Sequence, residues 1–146
     1  MKIAIGSDHA GVALKQQISD ALRTQGHQVA DLGTNNAESR DYPDFAAAVS
    51  REVAAGFAER GVLICTTGTG MVIAANKING IRAAVAVNSD AVELSRRHND
   101  ANVLAIASKY TDPATAEQYI ATFLETGFDG GRHQRRVDKI AQLERK

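Results

Sequence analysis

Cys65 is the single cysteine of the 146-residue chain, and it ends an apolar run, Val62-Leu63-Ile64, that leads straight into Thr66-Thr67-Gly68-Thr69-Gly70. An apolar run followed by a glycine-bearing loop reads as a buried strand opening into a tight turn, with a helix over Met71 to about Ile78 beyond it. A helix start presents unpaired N–H groups and a positive dipole end, which stabilise anions and favour the thiolate of a nearby cysteine. A sulfur at the lip of such a cradle suits chemistry on a phosphorylated or enolate-like substrate. The same sulfur would equally serve as a small hydrophobe buried in a strand.

Four other groups carry chemistry. Asp8-His9 sets a carboxylate and an imidazole after the first apolar run, Ile3 to Gly6; the plainer role is an Asp cap on the following helix with an exposed His. His98 either acts on a ligand or interacts with a helix dipole. Arg132 and Arg136 stand four apart, so on a helix both guanidinium groups project from one face, which suits a phosphate, the plainer role being a solvated basic face. Arg135 and Lys139 read as a solvated basic face. Tyr42, beside Pro43, is either packing or a substrate contact.

The elements that must position these groups alternate along the whole chain. Strands are expected over Ile3–Gly6, Gln28–Leu32, Val62–Cys65, Ala83–Val87 and Val103–Ala107. The first helix shows Leu14, Ile18, Ala21 and Leu22 at helical spacing and closes at Gly26. Gly33-Thr34-Asn35-Asn36 ends the second strand. Asp41-Tyr42-Pro43 opens a second helix with Phe45, Val49 and Val53 on one face, which Gly61 ends. Asn79-Gly80 closes the third. A fourth spans Asp90 to about Arg97, with Val92 and Leu94 inward. Thr111-Asp112-Pro113 caps a fifth that buries Ala116, Ile120 and Leu124 and ends at Gly127. The charged tail from Gly130 forms a last helix with Val137, Ile140 and Ala141 on its apolar side.

Apolar strands separated by helices imply an α/β fold: a single-domain, Rossmann-like three-layer αβα sandwich around a five-stranded parallel sheet, with a C-terminal helix. Ligands of such folds bind at the carboxyl ends of the strands, near the point where strand order reverses. The segments after strands one, three and five end there.

Composition narrows the function classes. The formal net charge is zero, so no overall basic field recommends nucleic acid or an anionic membrane as partner. No apolar stretch approaches a membrane span, and Met1-Lys2-Ile3-Ala4-Ile5 enters a strand without signal-peptide regions. One cysteine precludes an internal disulfide and a Cys-rich zinc site. These features point to a soluble, cytoplasmic protein. Gly6-Ser7-Asp8-His9-Ala10-Gly11 lacks the spacing of a dinucleotide fingerprint, Ile73 falls where the Gly68 loop would need a third glycine, and no Gly-Lys-Ser/Thr P-loop is present.

Five motifs occur in one order: Gly6 to Gly11; Asp41-Tyr42-Pro43; Cys65 to Gly70 with Ala74-Ala75-Asn76-Lys77; His98-Asn99-Asp100-Ala101-Asn102-Val103-Leu104; and Gly130-Gly131-Arg132-His133 to Arg136-Val137. Together they resemble the type B ribose-5-phosphate isomerases, whose family also holds galactose-6-phosphate and allose-6-phosphate isomerases. The resemblance implies aldose–ketose isomerisation of a phosphorylated sugar through a cis-enediolate, with no metal and no cofactor. It also implies a homodimer or homotetramer whose active sites are shared between subunits. Cys65 matches the base that carries the proton between C2 and C1. A thiol has a reference pKa of about 8.5, so a useful thiolate fraction at neutral pH needs local help. Thr66, Gly68, Thr69 and Gly70 match the loop whose N–H groups hold the enediolate oxygen. Thr67 matches the hydroxyl that assists proton movement between O1 and O2. His98 matches the ring-opening residue, with Asp8 as a second polar group at the sugar. His9, Arg132 and Arg136 match phosphate ligands, Asn99 a substrate or enediolate contact, and Tyr42 an active-site lining. A second branch uses a glutamate base where this chain has Met71, so the resemblance implies the cysteine branch.

Two residues depart from that pattern. Thr66 stands where many relatives of this branch carry glycine, and its β-branched side chain narrows the pocket. Lys109 occupies a position that is often an arginine contacting phosphate, keeping the charge and losing the bidentate fork. Both bear on the choice between ribose 5-phosphate and a six-carbon sugar or its phosphate. A non-catalytic sugar-phosphate-binding subunit is a rival of another class, and the presence of Cys65, Thr67, His98 and both arginines argues against it.

Overall fold

The computed structural model describes residues 1–33 and 41–144; the expected turn at Thr34, Asn35 and Asn36 lies outside them. Five strands, β1 (Lys2–Ser7), β2 (Gln28–Asp31), β3 (Arg60–Cys65), β4 (Ala83–Val85) and β5 (Val103–Ala107), form one sheet in the order β2-β1-β3-β5-β4. Every pairing is parallel. The connecting helices are α1 (Val12–Thr24), α2 (Tyr42–Ala54), α3 (Thr69–Ala75), α4 (Ser89–Asn99), α5 (Pro113–Glu125) and α6 (Arg132–Gln142).

The three central strands, β1, β3 and β5, are apolar on both faces because both faces are covered. Ile3, Ile5, Val62, Ile64, Leu104 and Ile106 point to one side, where they pack with Leu14, Ile18, Val92, Ile120 and Phe123 of α1, α4 and α5. Ala4, Leu63, Cys65, Val103 and Ala105 point to the other, against Val49 and Val53 of α2 and Met71 and Ala75 of α3. The α/β sandwich and the parallel sheet expected from the alternation are therefore observed, and α6 packs outside them against α4.

Several boundaries move for identifiable reasons. Helix α2 ends at Ala54, where Gly56 takes a positive φ of 83°; Gly61, expected to end it, is instead buried within β3. Helix α3 starts at Thr69 and stops at Ala75. Beyond it the Asn76 side chain donates to the Ala83 carbonyl and accepts from the Ala83 N–H. Helix α4 runs on to Asn99, so His98 lies in its last turn. In α5 Ala116 and Ile120 are buried as expected, and the third buried residue is Phe123, with Leu124 only partly covered. Ile140 of α6 is exposed and only Val137 is buried.

Candidate active site

Strand order reverses between β1 and β3, the place where an open α/β sheet parts its loops into a crevice. The loop that leaves β1 is tied to the end of β3: the Asp8 N–H donates to the Ile64 carbonyl at 3.3 Å. Asp8 is buried and caps a single 3-10 turn, His9–Gly11, accepting from the Ala10 N–H at 3.0 Å. His9 beside it is exposed. The capping role weighed for Asp8 is thus real, and it coexists with a carboxylate at the rim of the crevice.

Cys65, 6 % exposed, closes β3 with its Sγ accepting the Gly68 N–H at 3.2 Å. The donor reaches the sulfur because Gly68 adopts a left-handed conformation, φ 79°, as N-cap of α3, a geometry open chiefly to glycine. That N–H is aimed at the atom that carries the charge once the thiol is deprotonated. Thr66 and Thr67 are exposed, and the Thr67 hydroxyl oxygen accepts from the Thr69 N–H at 3.4 Å. A Cβ at Gly70 would lie 2.6 Å from the Tyr42 ring, so the ring rests on the bare backbone of the loop. The far side is closed by the segment after β5. Both the N–H and the hydroxyl of Ser108 donate to the Cys65 carbonyl, and the Lys109 N–H donates to the Thr66 carbonyl at 3.1 Å. The Lys109 ammonium lies 5.7 Å from the centre of the Tyr110 ring. Met71 is wholly buried against α2 and β3.

The remaining residues gather elsewhere. His98, in the last turn of α4, stacks on His133 of α6 with ring centroids 4.3 Å apart and planes 12° from parallel. Partial desolvation first, then the positive charge of His98, Arg132 and Arg136, holds His133 below the usual imidazole range, with Asp129 opposing. Arg132 and Arg136 are exposed. A nearby groove of about 680 Å³ is bordered by Arg82, Ala84, Asn99, Ile140 and Leu143. His98, Asp129 and His133 each offer a ligand atom within 4.8 Å of the others. A shared ion would have to lie in both imidazole planes, however, and near-parallel stacked rings do not converge on one point. The adjoining arginines disfavour a cation further.

Topology separates the two groups. Helix α4 returns antiparallel to the strands, and the Asn102 carbonyl just past it accepts from the Gly61 N–H. Gly61 pairs with Val103 and Cys65 with Ala107, a rise of four residues, or roughly 13 Å. Asp8, His9, Tyr42, Cys65 to Gly70 and Lys109 therefore stand at the carboxyl rim of the sheet. His98, Asn99, Arg132 and Arg136 stand at the amino side, too far to meet Cys65 within one copy. Three participants have no place in the residue-by-residue reading above: Ser108, Asp129, and His133 as the stacking partner of His98. An Asp before Gly130-Gly131 and a Ser directly after an apolar strand are weak signals by themselves.

The chain is similar to known proteins over nearly its whole length. The ribose-5-phosphate isomerase B of Escherichia coli is 44% identical over 145 residues, covering 99% of this chain and 97% of its own. A ribose-5-phosphate isomerase B structure from Clostridium thermocellum superposes with a TM-score of 0.96 at 49% identity, covering 98% of this chain and 97% of that one. The Mycoplasma genitalium ribose-5-phosphate isomerase B, solved with bound ribulose-5-phosphate, gives a TM-score of 0.93 at 43% identity over 97% of this chain and 94% of its own. The model for the family described as Ribose/Galactose Isomerase matches residues 3–140, and with it the chain is a sugar-phosphate isomerase that belongs to that family.

Proposed function

We propose that this protein interconverts ribose 5-phosphate and ribulose 5-phosphate through a cis-enediolate, with Cys65 as the general base. The observation that carries this reading is the Gly68 N–H on the Cys65 sulfur at the strand-order switch, in a loop bare enough for Tyr42 to lie on it. The substrate named in the Mycoplasma genitalium structure supports the same sugar.

In this scheme the ring-opened aldose lies along Thr66 to Gly70. The thiolate takes the proton from C2, the C–H electron pair forms the C1=C2 bond as the carbonyl pair moves to O1, and the enediolate oxygens meet the N–H groups of the loop. Thr67 passes a proton between O1 and O2. The proton held on the sulfur then returns to C1, giving the ketose without a covalent adduct. Asp8 is a polar partner at the sugar, His9 is a phosphate ligand at the same rim, and Lys109 contributes charge there.

The complementary residues come from a second copy. His98 of that copy opens the furanose ring, Asn99 contacts the sugar, and Arg132 and Arg136 hold the phosphate. The roughly 13 Å of sheet between the two groups in one copy supports this reading. Exposed apolar side chains support it at both rims: Ile73, Val87 and Tyr110 on segments following strands, and Ile140 and Leu143 on or just past α6.

Cys65→Ala is expected to lower kcat on the order of 10³-fold or more while leaving the melting temperature nearly unchanged; retained turnover would remove the sulfur from its role. The exposed Thr66 side chain and Lys109 are where a larger sugar would be selected. Comparing kcat/KM on ribose 5-phosphate, allose 6-phosphate, galactose 6-phosphate and free allose decides between the five-carbon and six-carbon readings.

A further inference from the structure

Asp100 is the one non-glycine residue with positive φ among the described residues, at φ 48°, ψ 44°. A left-handed residue with a Cβ is uncommon and strained, though Asp and Asn accept that region more readily than other side chains. Here the surroundings hold it in place. One carboxylate oxygen accepts from Arg96 at 2.8 Å and the other from Arg82 at 3.3 Å. Arg82 also donates to the Asn99 and Asp100 carbonyls, at 2.9 Å and 2.8 Å. Arg96, only 3 % exposed, completes its own fork on the Ala101 and Thr126 carbonyls. A third guanidinium, Arg60, is held below its ordinary value by burial and by Arg96, with Asp100 opposing.

The turn frozen in this way immediately follows His98 and Asn99. The next arginine extends the lock. Arg97 bonds the Asp129 carboxylate at 3.2 Å, and its carbonyl accepts the Asp129 N–H. These contacts hold the segment before α6 alongside the end of α4, and His133 is delivered onto His98. A helix end with the sole purpose of stopping α4 would require only a glycine after Asn99. An acidic residue in a costly conformation, gripped by two arginines, goes further and sets the peptide planes on which His98 and Asn99 are carried.

We infer that Asp100, clamped by Arg82 and Arg96, is a positioning residue that orients the His98–His133 pair and Asn99 for the sugar phosphate of a neighbouring copy. The inference rests on the role given to His98 above.

The imidazole signals in NMR spectra test it directly, because the chain has four histidines. Asp100→Gly tolerates the left-handed backbone while deleting the carboxylate. Arg82→Gln frees the Asn99 carbonyl while sparing the Asp100–Arg96 pair, should the glycine variant fold poorly. Both are expected to shift the His98 and His133 ring signals away from their stacked positions, leave those of His9 and His27 in place, and lower kcat/KM by about a hundredfold. Asp100→Asn, which tolerates the conformation and retains one acceptor, should fall between. His98 signals unmoved in both folded variants overturn the inference, whatever the rates. If the signals move but His98→Gln retains full turnover, the role of His98 falls and the positioning stands. If His98→Gln loses turnover while both clamp variants keep signals and rate, the clamp falls and the proposed function stands.

Discussion

Gly70 shows how a single missing methyl shapes the crevice. An alanine there places its Cβ 2.6 Å from two Tyr42 ring carbons, an overlap something must relieve. Tyr42 is 41 % exposed, so the ring swings outward and the loop backbone stays. Gly70 also lies inside α3, where replacing glycine with alanine contributes about 0.5–1 kcal/mol of stability. The two effects nearly offset in the folding equilibrium and do not offset in the site. Gly70→Ala is therefore expected to shift the melting temperature by little while raising KM for the sugar phosphate several-fold; a large loss of stability with unchanged KM would show that Tyr42 does not line the site. Cys65 and its glycine loop were legible as residues because an apolar run meeting Thr-Thr-Gly-Thr-Gly is a local pattern. The ring of Tyr42 resting on Gly70 was not, since the contact joins positions 28 apart through the packing of α2 on α3.

At the scale of elements, Lys15 joins α1 to β2. Its ammonium is completely buried and bonds both Asp31 oxygens at 2.7 Å, next to the β1 strand that delivers Asp8. Lys15→Met leaves the Asp31 carboxylate without its cation and should cost about 3 kcal/mol in denaturant unfolding, with Asp31→Leu added to it recovering much of the loss. The contact between α4 and α6 carries a pH dependence. His133, facing His98, Arg132, Arg136 and Asp129, binds its proton less readily folded than unfolded. Where the unfolded state binds more protons, stability rises with pH. The stability of the fold should therefore decline as pH drops through about 6.5, and His133→Gln should remove that part of the slope in urea titrations across pH 5 to 8. Helices and strands were legible in type from hydrophobic spacing, and their ends less so: Gly56 and Gly61 are equally plausible terminators in sequence. Only the pairing of Gly61 into β3 distinguishes them.

For the whole molecule, alternation of strands and helices implies a parallel sheet but not the order β2-β1-β3-β5-β4, because no local signal says which strands become neighbours. That order opens the crevice between β1 and β3, while the parallel pairing of β4 with β5 returns α4 to the amino side, so that His98, Asn99 and the α6 arginines end far from Cys65 within one copy. The proposed site assembled from two copies can be tested without knowing how the copies dock. In a two-fold dimer each site takes Cys65 from one chain and Arg136 from the other. Mixing inactive Cys65→Ala with inactive Arg136→Ala after dissociation and reassociation then yields hybrids with one intact site of two. With random equimolar pairing about half the dimers are hybrid, so about a quarter of native activity should return. If all the groups served one chain's own site, every site in the mixture would remain defective. No activity would return at any mixing ratio, and the second copy would have no part in the reaction.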